Sequence, residues 1–109
     1  NSGHWSIDGA VTSQFENHLR AVLDLPLGSP VARAPYSVMV NVIGTDKANL
    51  YSAYRHVMAR DPHLKVHLYG KSPRPGRKLG HVTVVGDDLA SLRERAHHAA
   101  DYLAGAIDE

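Results

Sequence analysis

Two runs of alternating apolar residues, Leu64/Val66/Leu68 and Val82/Val84, flank the stretch Tyr69-Gly70-Lys71-Ser72-Pro73-Arg74-Pro75-Gly76-Arg77-Lys78-Leu79-Gly80-His81. Alternation with a period of two is the pattern of a half-buried strand, whereas a segment with two prolines and three glycines suits neither a helix nor the interior of a sheet. The spacing predicts an antiparallel strand pair joined by a stiff loop at a sheet edge, and so a fold built around a small sheet. The loop also concentrates charge: Lys71, Arg74, Arg77 and Lys78 fall within eight residues with no acid among them. Four like charges at that spacing repel one another. A multivalent anion relieves the repulsion, and arginine forks match phosphate oxygens two at a time. The residues alone leave three uses open: guarding an edge strand against aggregation, meeting nucleic-acid phosphates, or holding the single phosphate of a small ligand. Twelve Lys and Arg against eleven Asp and Glu leave a formal charge of +1, so the positive charge is local. One isolated cluster suits one phosphate better than a polymer, whose binders show a basic face or stripe.

At 109 residues and 43% apolar content, the chain is long enough for one modest core. It holds no cysteine, which excludes disulfides, thiolate metal sites and cysteine nucleophiles and fits a reducing, cytoplasmic location. No apolar run approaches the roughly 18 residues of a membrane span, and nothing resembles a signal peptide. The first residues, Asn1-Ser2-Gly3-His4, include no methionine, and the chain is expected to be a fragment of something longer.

Residues 1–11 lack periodicity and read as a loop. Ser13-Gln14-Phe15-Glu16 is a capping-box pattern, followed by Phe15, Leu19, Val22 and Leu23 on one face of a helix that should stop before Pro26. Three prolines and Gly28 make 25–35 a connector. Ser37–Ile43 reads as a strand with Val38, Val40 and Val42 on one face and Met39, Asn41 and Ile43 on the other. Thr45 or Asp46 caps the next helix, with the stripe Leu50, Tyr54, Val57 and Met58, and Asp61-Pro62 ends it. After the two strands 64–69 and 81–85, Asp87 or Asp88 caps a last helix with Leu89, Leu92, Ala96, Ala100 and Leu103 inward, closed near Gly105. The architecture is α+β: a small antiparallel sheet backed by two helices, with an extra helix in front.

Eight histidines invite a metal site, but no spacing of the HExxH kind occurs and no metal ligand is assigned. His67 and His81 meet across the strand pair beside the basic loop, as supports for it or as partners on the sheet's polar face. No serine has a sequence sign of an activating base, and the acids Asp24, Asp46, Asp61, Asp87 and Asp88 sit where helix caps explain them. Taken as chemistry, the chain offers anion binding and little else.

Several blocks together nevertheless carry a resemblance. Asn1-Ser2-Gly3-His4-Trp5, Thr12 to Ala21, Leu25-Pro26-Leu27-Gly28, Met39 to Gly44, His67 to Lys71 and Arg74 to Val82 follow, in order and spacing, the N5-carboxyaminoimidazole ribonucleotide synthase family, the ATPase subunit of phosphoribosylaminoimidazole carboxylase. The likeness runs from Asn1 to about Val85; the final helix is generic and 47–63 is loosely matched. It implies that residues 1–28 are the end of an ATP-grasp domain, a loop plus the helix 13–24, and that residues 29–109 form its small C-terminal α+β domain.

The resemblance further implies a purine-biosynthetic ligase that carboxylates 5-aminoimidazole ribonucleotide with bicarbonate at the expense of ATP, releasing ADP and phosphate. Its nucleotide-clamping lysines and magnesium-binding carboxylates would lie upstream of Asn1, so this piece alone would be inactive. Lys71 and Arg77 would grip the ribonucleotide 5′-phosphate. Arg74 and Lys78 belong to the same motif, as ligands, neighbour charges or shapers of the loop. Asn1 and His4 would border the meeting point of substrate and activated bicarbonate, where a neutral His4 accepts a proton, hydrogen-bonds the substrate or braces the loop. Asn41 and Tyr69 match motif positions and read as structural. Homodimers are usual in the family; a membrane or nucleic-acid partner is not expected. Two other readings stand beside this one: a nucleic-acid or interaction module using the loop as a basic wedge, and the end domain of a relative such as biotin carboxylase, against which the Arg-Pro-Gly-Arg-Lys loop argues.

Overall fold

Three strands, β1 (Tyr36–Ile43), β2 (Lys65–Leu68) and β3 (Lys78–Gly86), form one antiparallel sheet in the order β1-β3-β2 in the computed structural model, which describes residues 2–46 and 49–107. The pairing follows from the alternation. Val38 opposes Val84 and Val40 opposes Val82 on one face, while Met39 opposes Thr83, and Asn41 and His67 flank His81, on the other. The apolar face carries the core. Val42, Leu79, Val82 and Val84 meet Ala53 and Val57 of α3 (Leu50–Arg60) and Leu92, Ala96, Ala100 and Leu103 of α4 (Leu89–Ala104).

One irregularity in the sheet bears on the site. Val42 faces Gly80 but Ile43 faces Lys78, so Leu79 is an extra residue in β3. It lies three positions from Val82, a spacing that a regular pleat would put on the opposite face. The bulge brings it into the core instead, where it is 0% exposed. The strand expected from His81 therefore starts at Lys78, which leaves the loop and joins the sheet.

The polar face is covered as well. Residues read as a loop form a short helix, α1 (Trp5–Gly9), which packs on β3 and β1. Five residues are too few to show a helical period. The segment after α1 is tied to the connector by Val11 N–H to Val31 O (2.9 Å), Thr12 N–H to Ser29 O (3.0 Å) and Arg33 N–H to Gly9 O (2.7 Å).

The helix ends follow local chemistry. Ser13 Oγ accepts from the Glu16 N–H at 3.0 Å and starts α2 (Gln14–Val22). This helix closes through Leu25 N–H to Arg20 O (2.8 Å) and Asp24 N–H to Ala21 O (3.2 Å), with Asp24 at φ 57°; the turn ends it two residues before the expected Asp24. Asp88 caps α4 by accepting from Ser91 N–H, and Gly105 closes it. Neither Thr45 nor Asp46 caps α3. Asn49 precedes it, and the Thr45 hydroxyl donates to Ala104 O at 2.6 Å, tying the end of β1 to the end of α4. Leu89 and Met58, expected inward, are exposed. The apolar stripe of α2 exists as expected, but Phe15, Leu19, Val22 and Leu23 are 41–67% exposed.

Gly80 shows how tightly β2 and β3 are set. A Cβ there would lie 2.2 Å from the His67 carbonyl oxygen and 3.1 Å from Leu68 Cα, both backbone atoms that cannot yield without parting the strands. Gly80→Ala is expected to cost about 3 kcal/mol, the top of the overpacking range. The measurement is the urea midpoint; an unchanged midpoint would show that the pair relaxes freely.

Candidate functional site

The basic loop is held by its backbone. Tyr69 N–H donates to Leu79 O at 2.9 Å and closes its base. At its tip Arg77 N–H donates to Arg74 O at 3.1 Å, with Pro75 second and Gly76 (φ 77°) third in a β-turn of the kind that requires a positive φ at that position. Two further bonds staple this turn to the end of β1: Gly76 N–H to Gly44 O (2.8 Å) and Gly44 N–H to Arg77 O (2.7 Å). A Cβ on Gly44 would lie 2.5 Å from Arg74 O, so only glycine permits the approach.

The four cations divide among three places. Arg77 Nη1 donates to Ser72 O at 3.1 Å across the loop, and Arg74 is exposed beside it. Lys71 Nζ sits 5.8 Å from the centre of the Tyr69 ring and lines a groove with Leu68, Pro73, Leu50 and Tyr54. Lys78, half-buried at the start of β3, belongs with the histidines, because its charge opposes protonation of His4. Asn1 lies outside the described residues.

Under α1 the polar face of the sheet holds a stack of three imidazoles. His81, 1% exposed, lies between His4 (ring centres 5.1 Å apart, 11° between planes) and His67 (4.8 Å, 23°). Each outer member has its own fixing contact. His67 Nε2 donates to Asp8 Oδ2 at 2.6 Å, and His4 also packs on the Phe15 ring at 5.5 Å and the Tyr69 ring at 6.1 Å. The Tyr69 hydroxyl lies 2.8 Å from His81 Nδ1.

Burial dominates the electrostatics here. It pushes the His81 pKa down to about 4, with the positive charges that His67 and His4 would carry adding to the effect. It lowers His4, helped by Lys78 and His67, and raises Tyr69. At neutral pH Tyr69 is therefore a phenol, and His4 and His81 are neutral imidazoles. His4 Nδ1, His81 Nε2 and Thr83 Oγ1 are buried with no hydrogen-bond partner among the described residues.

His67 and His81 thus meet where the strand register puts them. Asp8 carries no signal in a segment read as a loop, and its partner is 59 positions away. Its one hint is that it follows His4 by four residues, the spacing that aligns side chains on one helical face. Tyr69, read as structural, joins the loop to the stack. Among the described residues no three His, Asp or Glu side chains gather where a metal ion would sit. No helix of the described residues is long and apolar enough to cross a membrane.

Residues 37–95 match the family model described as the phosphoribosylaminoimidazole carboxylase C-terminal domain. The N5-carboxyaminoimidazole ribonucleotide synthase of Mycobacterium tuberculosis is 55% identical over 107 residues, covering 95% of this chain and 25% of that protein. Among solved structures, the N5-carboxyaminoimidazole ribonucleotide synthetase of Thermotoga maritima is similar with a TM-score of 0.79 and 42% identity, over 94% of this chain and 29% of that one. The Aspergillus clavatus N5-carboxyaminoimidazole synthase in complex with ADP and 5-aminoimidazole ribonucleotide gives a TM-score of 0.77 and 36% identity, over 94% and 28%. The chain spans about a quarter of the length of the curated relatives it matches.

Proposed function

This chain belongs to the phosphoribosylaminoimidazole carboxylase C-terminal domain family, and from that premise we propose that it is the C-terminal part of an ATP-dependent N5-carboxyaminoimidazole ribonucleotide synthase. In this reading residues 1–28 end the ATP-grasp domain and 29–109 form the terminal domain. The rest of the ATP-grasp domain covers the exposed stripe of α2 and supplies the ATP-binding lysines and the magnesium ligands. The complete enzyme is a cytoplasmic homodimer that uses ATP to activate bicarbonate as carboxyphosphate. The amine of 5-aminoimidazole ribonucleotide then takes up the carbon, and ADP and phosphate leave.

The work of this chain is to bind and orient. Lys71 and Arg77 grip the 5′-phosphate, with Arg74 and Lys78 adding positive charge on either side. Asn1 and His4 border the place where the amine meets the activated carbon. A neutral His4 has a lone pair available to the substrate, as an acceptor of a hydrogen bond or of a proton.

The observation that carries this reading is the backbone staple between Gly44 and the Arg74–Arg77 turn. A loop whose three cations, Lys71, Arg74 and Arg77, repel one another is nevertheless fixed in shape by three backbone bonds, as a preformed anion site requires. ADP release by the full-length parent protein is expected to need the ribonucleotide; release at the same rate without it would sink the proposal. A nucleic-acid module would instead show binding that falls steeply with salt, with a slope set by several phosphates.

A further inference from the structure

His81 is the most buried member of the histidine stack, yet none of the steps above uses it. A leucine would fill its place without the buried, unpaired Nε2; what the imidazole adds is a hydrogen bond to Tyr69 and two stacked faces. Two of these three neighbours, Tyr69 and His4, are part of the proposed site. Tyr69 is the first residue of the basic loop and carries Lys71 over its ring, and His4 belongs to the Asn-Ser-Gly-His segment.

Resting on the reading of the loop and of His4 given above, we propose that His81 is a positioning residue for ribonucleotide binding. Its Nδ1 accepts from the Tyr69 hydroxyl and its ring seats His4, so one buried side chain sets the base of the phosphate loop and the histidine beside the reacting amine. With the Tyr69 hydroxyl as donor, His81 carries its proton on Nε2. The titratable groups around it are His4 and Asp8 from the α1 segment, His67 and Tyr69 from the β2 side, and Lys78 from its own strand. Charge on His67 or His4 opposes an imidazolium there, and Asp8 favours it.

The test uses the full-length parent protein. His81→Leu is expected to raise the KM for 5-aminoimidazole ribonucleotide at least about tenfold and to leave the KM for ATP within about twofold. His81→Asn, which keeps an acceptor near the Nδ1 position, should recover most of that loss. Tyr69→Phe should reproduce the leucine effect, and combining Tyr69→Phe with His81→Leu should add little to either alone. Equal rises in both KM values, an asparagine variant as impaired as the leucine one, or additive losses would overturn the proposal. Where His81→Leu does not fold, Tyr69→Phe decides, and an unchanged ribonucleotide KM in that variant overturns it. Nitrogen NMR of histidine-labelled protein gives a readout that needs no substrate. The Nε2–H tautomer at neutral pH is expected for His81, and the Nδ1–H tautomer would refute the assigned hydrogen bond. Ribonucleotide-independent ADP release by the wild type would instead count against the substrate reading and leave the NMR result standing.

Discussion

Lys71→Ala combined with Arg77→Ala in the full-length parent protein is expected to weaken apparent affinity for 5-aminoimidazole ribonucleotide by about a hundredfold, with the KM for ATP little changed. Each charge-assisted hydrogen bond to a phosphate contributes on the order of 1.5 kcal/mol or more, and two lost together amount to about 3 kcal/mol, or two decades. Arg77→Lys separates charge from geometry. It keeps the positive charge but loses the planar fork, so it should recover only part of the affinity. Steady-state kinetics with the ribonucleotide varied provide the measurement. Substrate-dependent ADP release that both alanine changes leave untouched would show that the phosphate is held elsewhere.

The second large effect is on stability. As pH falls from about 6.5 towards 4, His81 alone is expected to remove about 3 kcal/mol of folding free energy, from about 1.4 kcal/mol per pH unit across that interval. Its folded value of about 4 lies below the ordinary 6.5, so the unfolded chain binds the proton first. The contribution is therefore complete above pH 6.5, declines as the pH drops through the window, and changes no further below 4. Asp61 acts in a separate range. Its hydrogen bonds to Arg95, at 2.8 and 2.9 Å, hold its carboxyl below the ordinary 3.8, so its contribution is lost only in stronger acid. Urea midpoints between pH 7 and 4 provide the measurement, and His81→Asn should flatten the profile over that range. A wild-type midpoint that does not move there would contradict the burial argument.

Much of the architecture was legible because it is governed by local rules. The Ser13/Glu16 pair starts α2, Asp88 and Gly105 bound α4, and Pro75-Gly76 makes the turn, each through contacts within a few residues. Strand alternation likewise located the sheet and brought His67 beside His81. What was missed depends on contacts far apart in sequence. The bulge at Leu79 is a compromise between pairing with β1 and filling the core, and it draws Lys78 out of the loop. Short α1 is defined by what it covers, and Asp8 matters only because His67 lies opposite it. The stripe of α2 was read correctly as apolar, but periodicity says nothing of what meets it: among the described residues Phe15 meets the His4 ring, while Leu19, Val22 and Leu23 stay mostly exposed.

The middle position of β3 has a consequence of its own. Lys78 and His81 lie on a strand bonded along both edges, and its Leu79 carbonyl receives the Tyr69 N–H that closes the loop. An edge strand can fray by itself, but a central one opens only when both neighbours let go. The amides of Gly80 to Thr83, where β3 is paired on both sides, should therefore exchange with solvent at rates set by unfolding of the whole sheet. The base of the proposed phosphate loop, closed on the Leu79 carbonyl, is then expected to hold while the sheet is intact and to be lost with it.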